Sequence, residues 1–279
     1  SSAIRLIDGL LARICGVKTV IFHSHSNFNK KPLKYHLTVP LFRVIGTHFL
    51  ACSNEAASTF FGEGIIYKSN YFLVKNAIDL KKYKFTSIIR EKKRKELNLD
   101  PDDIVIGYVG RLSKEKNLQF LYDIFIEVWK LNKHAKLLIV GNGNEEIPLK
   151  ERAKLDNMDE HVIFTGIRKD IPDLMQLIDA FVMPSFSEGL GIVLIEAQAS
   201  GTRCYTSKDV VPEEAKVTNL LEFISLEKSA QEWAKIICLK GFCYDREDTF
   251  SSIKSCGYEI KDAAKSLEKF YLKVANNYE

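Results

Sequence analysis

Glu188 and Glu196, with seven residues between them, lie in the run Pro184-Ser185-Phe186-Ser187-Glu188-Gly189-Leu190-Gly191-Ile192-Val193-Leu194-Ile195-Glu196-Ala197. Gly189 and Gly191 free the backbone amides where an apolar helix, expected over 190–199, begins, and such an end attracts an anion. Glu188 falls on the loop before that helix. Glu196 falls about two turns into it, between Ile195 and Ala197, where an unpartnered carboxylate is costly. Sugar hydroxyls would supply partners. A second run, Gly110-Arg111-Leu112-Ser113-Lys114-Glu115-Lys116-Asn117, brings Arg111 and Lys116 close to another helix start. Gly110 lets backbone approach a ligand there, and two cations at a helix N-terminus suit a diphosphate. Surface Arg and Lys are common, so this run alone reads equally well as a solvated loop. Gly141-Asn142-Gly143-Asn144-Glu145-Glu146 opens like a dinucleotide fingerprint, but Glu146 stands where the third glycine belongs. It reads as a tight turn near a nucleotide, not as an NAD site. His23 and His25 form a His-x-His that, alone, reads first as structural.

The elements that position these runs alternate. Short apolar strands are expected at 17–22, 48–52, 71–75, 104–109, 136–140, 162–165, 180–183 and 203–206. Helices are expected at 53–61, with Ser53 as N-cap, and at 117–131, 145–155, 171–177, 190–199 and 259–275. Strands that are apolar throughout suit a parallel sheet covered on both faces, and successive βα units suit a doubly wound α/β fold. In such a sheet ligands bind beyond the carboxyl ends of the strands, where three of the runs above fall. The 81–96 stretch holds eight Lys/Arg and two Glu and reads as a solvated interdomain linker, with contact to anionic lipid as the alternative. Asp100-Pro101-Asp102-Asp103 precedes a strand and reads as a turn.

The 279 residues amount to nearly two domains, at 46% hydrophobic and 27% charged. Collagen, coiled coil and wholesale disorder are excluded. The net charge of +4 is too small to imply a nucleic-acid partner. No apolar run approaches a membrane span, and Arg5, Asp8, Arg13 and Lys18 argue against a signal peptide. Six cysteines without a CxxC read as buried, reduced thiols of a cytoplasmic protein.

The run "PSFSEGLGIVLIEAQASG" closely resembles the signature of retaining glycosyltransferases of family 4, the group 1 glycosyltransferases. Further matches follow in order: "HSHS" at 23–26, "ACSNEAASTFFG" at 51–62, "VKNAID" at 74–79, "GYVGRLSKEKN" at 107–117, "LLIVGNGN" at 137–144, "VIFTGIRKDIPDLM" at 162–175 and "GYEIKDAAKSLEKFY" at 257–271. The chain is most similar to the bacterial enzymes that build capsular polysaccharides and exopolysaccharides. The resemblance implies a GT-B fold of two Rossmann-like doubly wound domains, the N-terminal one incomplete. Its expected layout is 1–88 from the acceptor-side domain, a linker over 89–101, a nucleotide-sugar domain over 102–256, and a C-terminal helix, 257–279, packing back on the first domain. "HSHS" arrives early, and 1–88 is about half of a ~150-residue domain. The family's Asn-Gly-Ile-Asp turn reads Asn76-Ala77-Ile78-Asp79, which puts that turn in question if it needs a positive φ.

The roles carried by the resemblance attach to matching positions. Gly110, Arg111 and Lys116 would hold the donor diphosphate, and Glu196 the ribose. Glu188, with Gly189, Leu190, Gly191 and Ile192, would hold the donor sugar and its β-phosphate. Ile167 and Arg168 would border the base, and His23, more than His25, would face the donor sugar. Glu188 and His23 are the expected catalytic pair. The activity implied is hexosyl transfer, with retention, from a UDP-sugar to a growing polysaccharide or lipid-linked acceptor. It needs no metal and no cofactor, and takes place in the cytoplasm or at the inner membrane face. Two alternatives are a GT-B UDP-sugar epimerase and an inactive fragment that binds nucleotide sugars.

Overall fold

The computed structural model describes residues 2–24, 34–242 and 244–276; His25 and Cys243 lie outside them. The chain divides into two compact units, Ser1–Ile78 with Gly257–Glu279, and Asp79–Cys256.

The first unit starts with α1 (Ser2–Ile14), β1 (Ile21–Ser24), α2 (Lys34–Ile45), β2 (His48–Ala51), α3 (Asn54–Phe61) and β3 (Tyr71–Leu73). The strands form a parallel sheet in the order β1-β2-β3, with His23 opposite Leu50. The first strand therefore lies at 21–24 rather than 17–22: pairing with β2 decides it, although Val17–Phe22 carries the higher β propensity. Ser53 caps α3, its hydroxyl accepting from the Ala56 amide at 3.0 Å. Phe22, Phe42, Phe49 and Phe61 fill the core.

The second unit contains α4 (Leu80–Tyr83), α5 (Ser87–Glu96), β4 (Ile104–Val109), α6 (Leu118–Leu131), β5 (Ala135–Val140), α7 (Glu146–Leu155), β6 (Val162–Gly166), α8 (Ile171–Leu177), β7 (Ala180–Met183), α9 (Ile192–Ala199), β8 (Arg203–Ser207), β9 (Leu221–Ile224), α10 (Ala230–Leu239) and α11 (Phe250–Ser255). Its six strands are parallel, in the order β6-β5-β4-β7-β8-β9. Chain order reverses between β4 and β7, and these two pair only through Ile106–Gly107 and Ala180–Phe181. Leu118, Leu121, Tyr122, Phe125 and Val128 of α6 are buried.

The basic 81–96 stretch is not a solvated linker. Most of it is α4 and α5, helices of the second unit. Arg90 donates to Asp179 at 2.6 Å, and Lys93 donates to Asp170 at 2.6 Å and to Glu96 at 2.8 Å. Buried Arg94 donates to the Asp100 and Asp103 carbonyls. Asp100–Asp103 is the expected turn, closed by the Asp103 carboxylate accepting from the Asp100 amide.

The chain returns to the first unit through α12 (Ile260–Asn276), whose Phe270 stacks on Phe72 and meets His48 edge-on. Ile78 bridges to Glu259, and Ala77 has no positive φ, so the turn in question forms without glycine. Cys15 is exposed, against expectation; Cys52 and Cys204 are buried thiols. Among the described residues no helix is long and apolar enough to cross a membrane.

Candidate functional site

The loops that follow β4 and β7 meet at the carboxyl edge of the sheet, where the strand order reverses and such sheets take their ligands. The loops are 110–117 and 184–191. Three contacts tie them together: the Phe186 amide donates to the Glu115 carbonyl at 2.8 Å, the Asn117 side-chain amide to the Pro184 carbonyl at 3.0 Å, and Lys116 Nζ to Glu188 Oε1 at 2.7 Å. Ser185 Oγ also donates to Glu188 Oε1, at 2.9 Å. Both bonds to Glu188 thus use one oxygen of a nearly buried carboxylate. Lys116 and Glu188, expected as separate contacts to the donor, are bonded to each other.

The loops after β5 and β6 join the same edge. The Leu112 amide donates to the Asn142 carbonyl, the Glu145 amide to the Leu112 carbonyl, and the Gly141 amide to the Gly166 carbonyl. A Cβ on Gly141 would lie 1.9 Å from the Gly110 oxygen, and one on Gly143 2.2 Å from the Leu112 oxygen. No side chain fits at either place, which explains the glycines without a dinucleotide. Below them the buried Tyr108 hydroxyl donates to the Arg111 carbonyl at 3.0 Å, while the Arg111 residue itself is exposed. Burial first, then the charges of Glu188 and Glu115, push the Tyr108 phenol well above its usual range, so it remains a donor.

Gly191 takes a φ of 70° as the N-cap of α9, so the helix starts at Ile192. Gly189 is exposed on the loop and Leu190 is buried beneath it. Glu196 consequently lies one turn into α9, not two. It is partly buried, and Tyr83 lies on the short helix α4 that packs against α9. Burial pushes the Glu196 carboxyl above its usual range, and the neighbouring Tyr83 hydroxyl holds it back.

Ile167 is 72% exposed on the loop after β6. Arg168 goes elsewhere: its guanidinium donates to Asp170 at 2.8 and 2.6 Å and to Glu96 at 2.5 Å, an ion cluster shared with Lys93. These bonds raise the Arg168 pKa and hold the Asp170 carboxyl well below the usual range, its bond to Arg168 being the largest cause. Two carboxylates, Asp170 and Glu96, thus hold the Arg168 guanidinium expected to border the base. His23, at the end of β1, belongs to the first unit. Among the described residues no three His, Cys, Asp or Glu side chains gather as a metal site. Tyr108, Ser185 and Asn117 had no signal in the sequence, since each acts through a bond made only in the folded chain.

Residues 89–238 match the family described as Glycosyl transferases group 1. The chain is 28% identical over 270 residues to EpsF of Bacillus subtilis (strain 168), a protein named as a candidate glycosyltransferase, covering 94% of this chain and 70% of that one. It is also 28% identical over 216 residues to the UDP-Gal:alpha-D-GlcNAc-diphosphoundecaprenol alpha-1,3-galactosyltransferase of Escherichia coli, covering 74% of this chain and 56% of that one. The crystal structure of Anabaena HepE in complex with UDP superposes with a TM-score of 0.79 at 18% identity, over 98% of this chain and 77% of that one.

Proposed function

The chain belongs to the group 1 glycosyltransferases and has the GT-B fold, and from that premise we propose that it moves a hexosyl group from a UDP-sugar to a growing polysaccharide or lipid-linked acceptor, with retention. The observation that carries this reading is the Lys116–Glu188 pair between the two loops, near the exposed Arg111 and the start of α9.

In this reading Arg111, Lys116 and the first amides of α9 take the diphosphate. They stabilise the negative charge that builds on the β-phosphate as the bond from the anomeric carbon to its oxygen breaks. An acceptor oxygen bonds to that carbon from the same face, and its proton passes to the departing phosphate. Glu188, bonded through Oε1, positions the sugar through Oε2 rather than attacking it. Glu196 accepts from the ribose hydroxyls, and Ile167 lies along the base. With the charge so placed, no metal is needed. HepE has been solved with UDP, and the Escherichia coli relative is named for a UDP-galactose donor and a diphosphoundecaprenol acceptor, which supports the choice of nucleotide and acceptor class. The exposed row Ile4, Ile7, Leu11 and Ile14 along α1 supports peripheral contact with the inner membrane surface.

The test is donor hydrolysis over a panel of nucleotide sugars, with EDTA present. Turnover of one or more UDP-sugars, lost in Glu188→Ala, is expected. Turnover restricted to another nucleotide, or abolished by EDTA, would overturn the corresponding part of the reading.

A further inference from the structure

His48 and Tyr71 open β2 and β3, so they stand at the amino-terminal edge of the first unit's sheet. There they border a cleft of about 520 Å³ whose other wall is α12, through Lys269, Phe270 and Lys273. Every lining residue belongs to the first unit, and the volume falls in the ~300–1,000 Å³ range of small-molecule sites. Lys269 and Lys273 are exposed and have no ion-pair partner among the described residues, and Lys261 and Lys265 continue their row along α12. Lysines four apart on a helix repel one another. No Asp or Glu among the described residues lines the cleft to offset them. We propose that this cleft is a second saccharide site that takes a carboxylate-bearing sugar unit, a uronate: Lys269 and Lys273 hold its carboxylate, His48 accepts from a hydroxyl, and Tyr71, Phe72 and Phe270 face its ring C–H groups.

A sugar acid presents a charge, hydroxyls and an apolar ring face, and the cleft answers each. The two lysines meet the charge. The Phe270 ring stacks on Phe72 with centroids 4.9 Å apart and meets His48 edge-on, which makes an apolar wall for pyranose C–H groups to shed water against. For the hydroxyls, the Thr47 hydroxyl donates to the Val20 carbonyl at 2.9 Å, so at 3.1 Å from His48 Nδ1 its oxygen can only accept. That leaves His48 Nε2 as an acceptor while the ring is neutral, and burial, which lowers the His48 pKa, favours the neutral ring. A flat lipid surface would meet the lysines without entering the cleft, and a bare phosphate would leave the ring wall unused. The nucleotide loops lie in the other unit. On the reading of the chain as a polysaccharide glycosyltransferase, such a site keeps an acidic polymer on the protein between transfers; the binding itself does not depend on that reading.

The experiment is calorimetric titration of the whole chain with trigalacturonate, with neutral maltotriose, with triglutamate as a peptide of the same charge, and with phosphatidylglycerol vesicles. Wild type is compared with His48→Phe and with the double variant Lys269→Ala/Lys273→Ala, after the melting temperature of each has been measured. Trigalacturonate is expected to bind wild type most tightly of the four, and less tightly as salt is added. The double variant should weaken it about fivefold, the scale of two exposed ion pairs, with the melting temperature unchanged because both lysines are exposed. His48→Phe, which keeps a ring and removes the acceptor, should weaken trigalacturonate and leave triglutamate unchanged. Wild-type affinity for trigalacturonate in the double variant, or equal affinity for maltotriose, would overturn the proposal. So would triglutamate binding as tightly as trigalacturonate, which would reduce the site to charge alone, or vesicles binding through the two lysines with no saccharide bound, which would make the face a lipid contact. None of these outcomes bears on UDP binding in the second unit, so the donor reading stands or falls separately.

Discussion

Glu196 is under opposite demands from folding and from binding. Its carboxyl is raised in the folded protein, burial being the larger cause. A group raised on folding contributes stability below its unfolded pKa and loses it as pH rises through the folded value. Ionised Glu196 therefore costs stability at neutral pH. Glu196→Gln should melt no lower than wild type at about pH 7, with any gain shrinking as pH falls toward the ordinary range near ~4.3. UDP affinity should fall about ten- to a hundredfold in the same variant, a loss of roughly 1.5–3 kcal/mol. Melting curves and titrations over that pH range check both. The two cations differ in another way. Arg111 is exposed, so Arg111→Ala should weaken UDP by roughly 1.5–3 kcal/mol while shifting stability by less than about 0.5 kcal/mol. Lys116→Ala also strips a partner from the nearly buried Glu188, so it should lower both UDP affinity and melting temperature.

At the scale of elements, α5 is held by ion pairs that its own sequence does not reveal. Asp179 is buried between Arg90, at 2.6 Å, and the Val105 amide, at 2.8 Å, with Arg94 at 3.7 Å. Asp179→Ala leaves two cations and an amide unpaired. It should cost about 3–5 kcal/mol and lower the melting temperature on the order of 10 °C, with UDP affinity of the folded protein unchanged. Thermal scans with titration at low temperature test it. Read as sequence, 81–96 is a run of positive charge, because its partners Asp170 and Asp179 lie far along the chain. The alternation over 104–206 was legible because each strand is apolar throughout and each helix carries its own stripe. The next pair, β9 and α10, went unread, although Ser229 and Glu232 form a capping box visible as Ser-x-x-Glu. Within the site, the glycines and the Glu188–Glu196 spacing were legible because they answer local constraints. The ion cluster around Arg168 was not, since it depends on where α5 packs.

At the scale of the whole molecule, Gly110 through Glu196 belong to one unit and His23 to the other. Unfolding is expected to show two calorimetric transitions. UDP should raise only that of Asp79–Cys256, by about 2.7 kcal/mol at a hundredfold excess over its dissociation constant. A single transition, or a ligand-induced shift in both, would mean that the units unfold as one.

The chain leaves the first unit at Ile78 and re-enters it beside the point of departure: the Ile78 amide donates to the Tyr258 carbonyl, and the Ile260 amide to the Ile78 carbonyl. During synthesis this ordering has a cost. Domains usually mature from the N-terminus as the ribosome releases them. Here the opening residues must wait, because β3 lacks the covering Phe270 until α12 emerges behind the entire second unit. The nascent first unit keeps its strands short of a partner layer until the later-made unit is already complete. A stop codon before residue 257 would therefore harm the earlier-made first unit and spare the later-made second one.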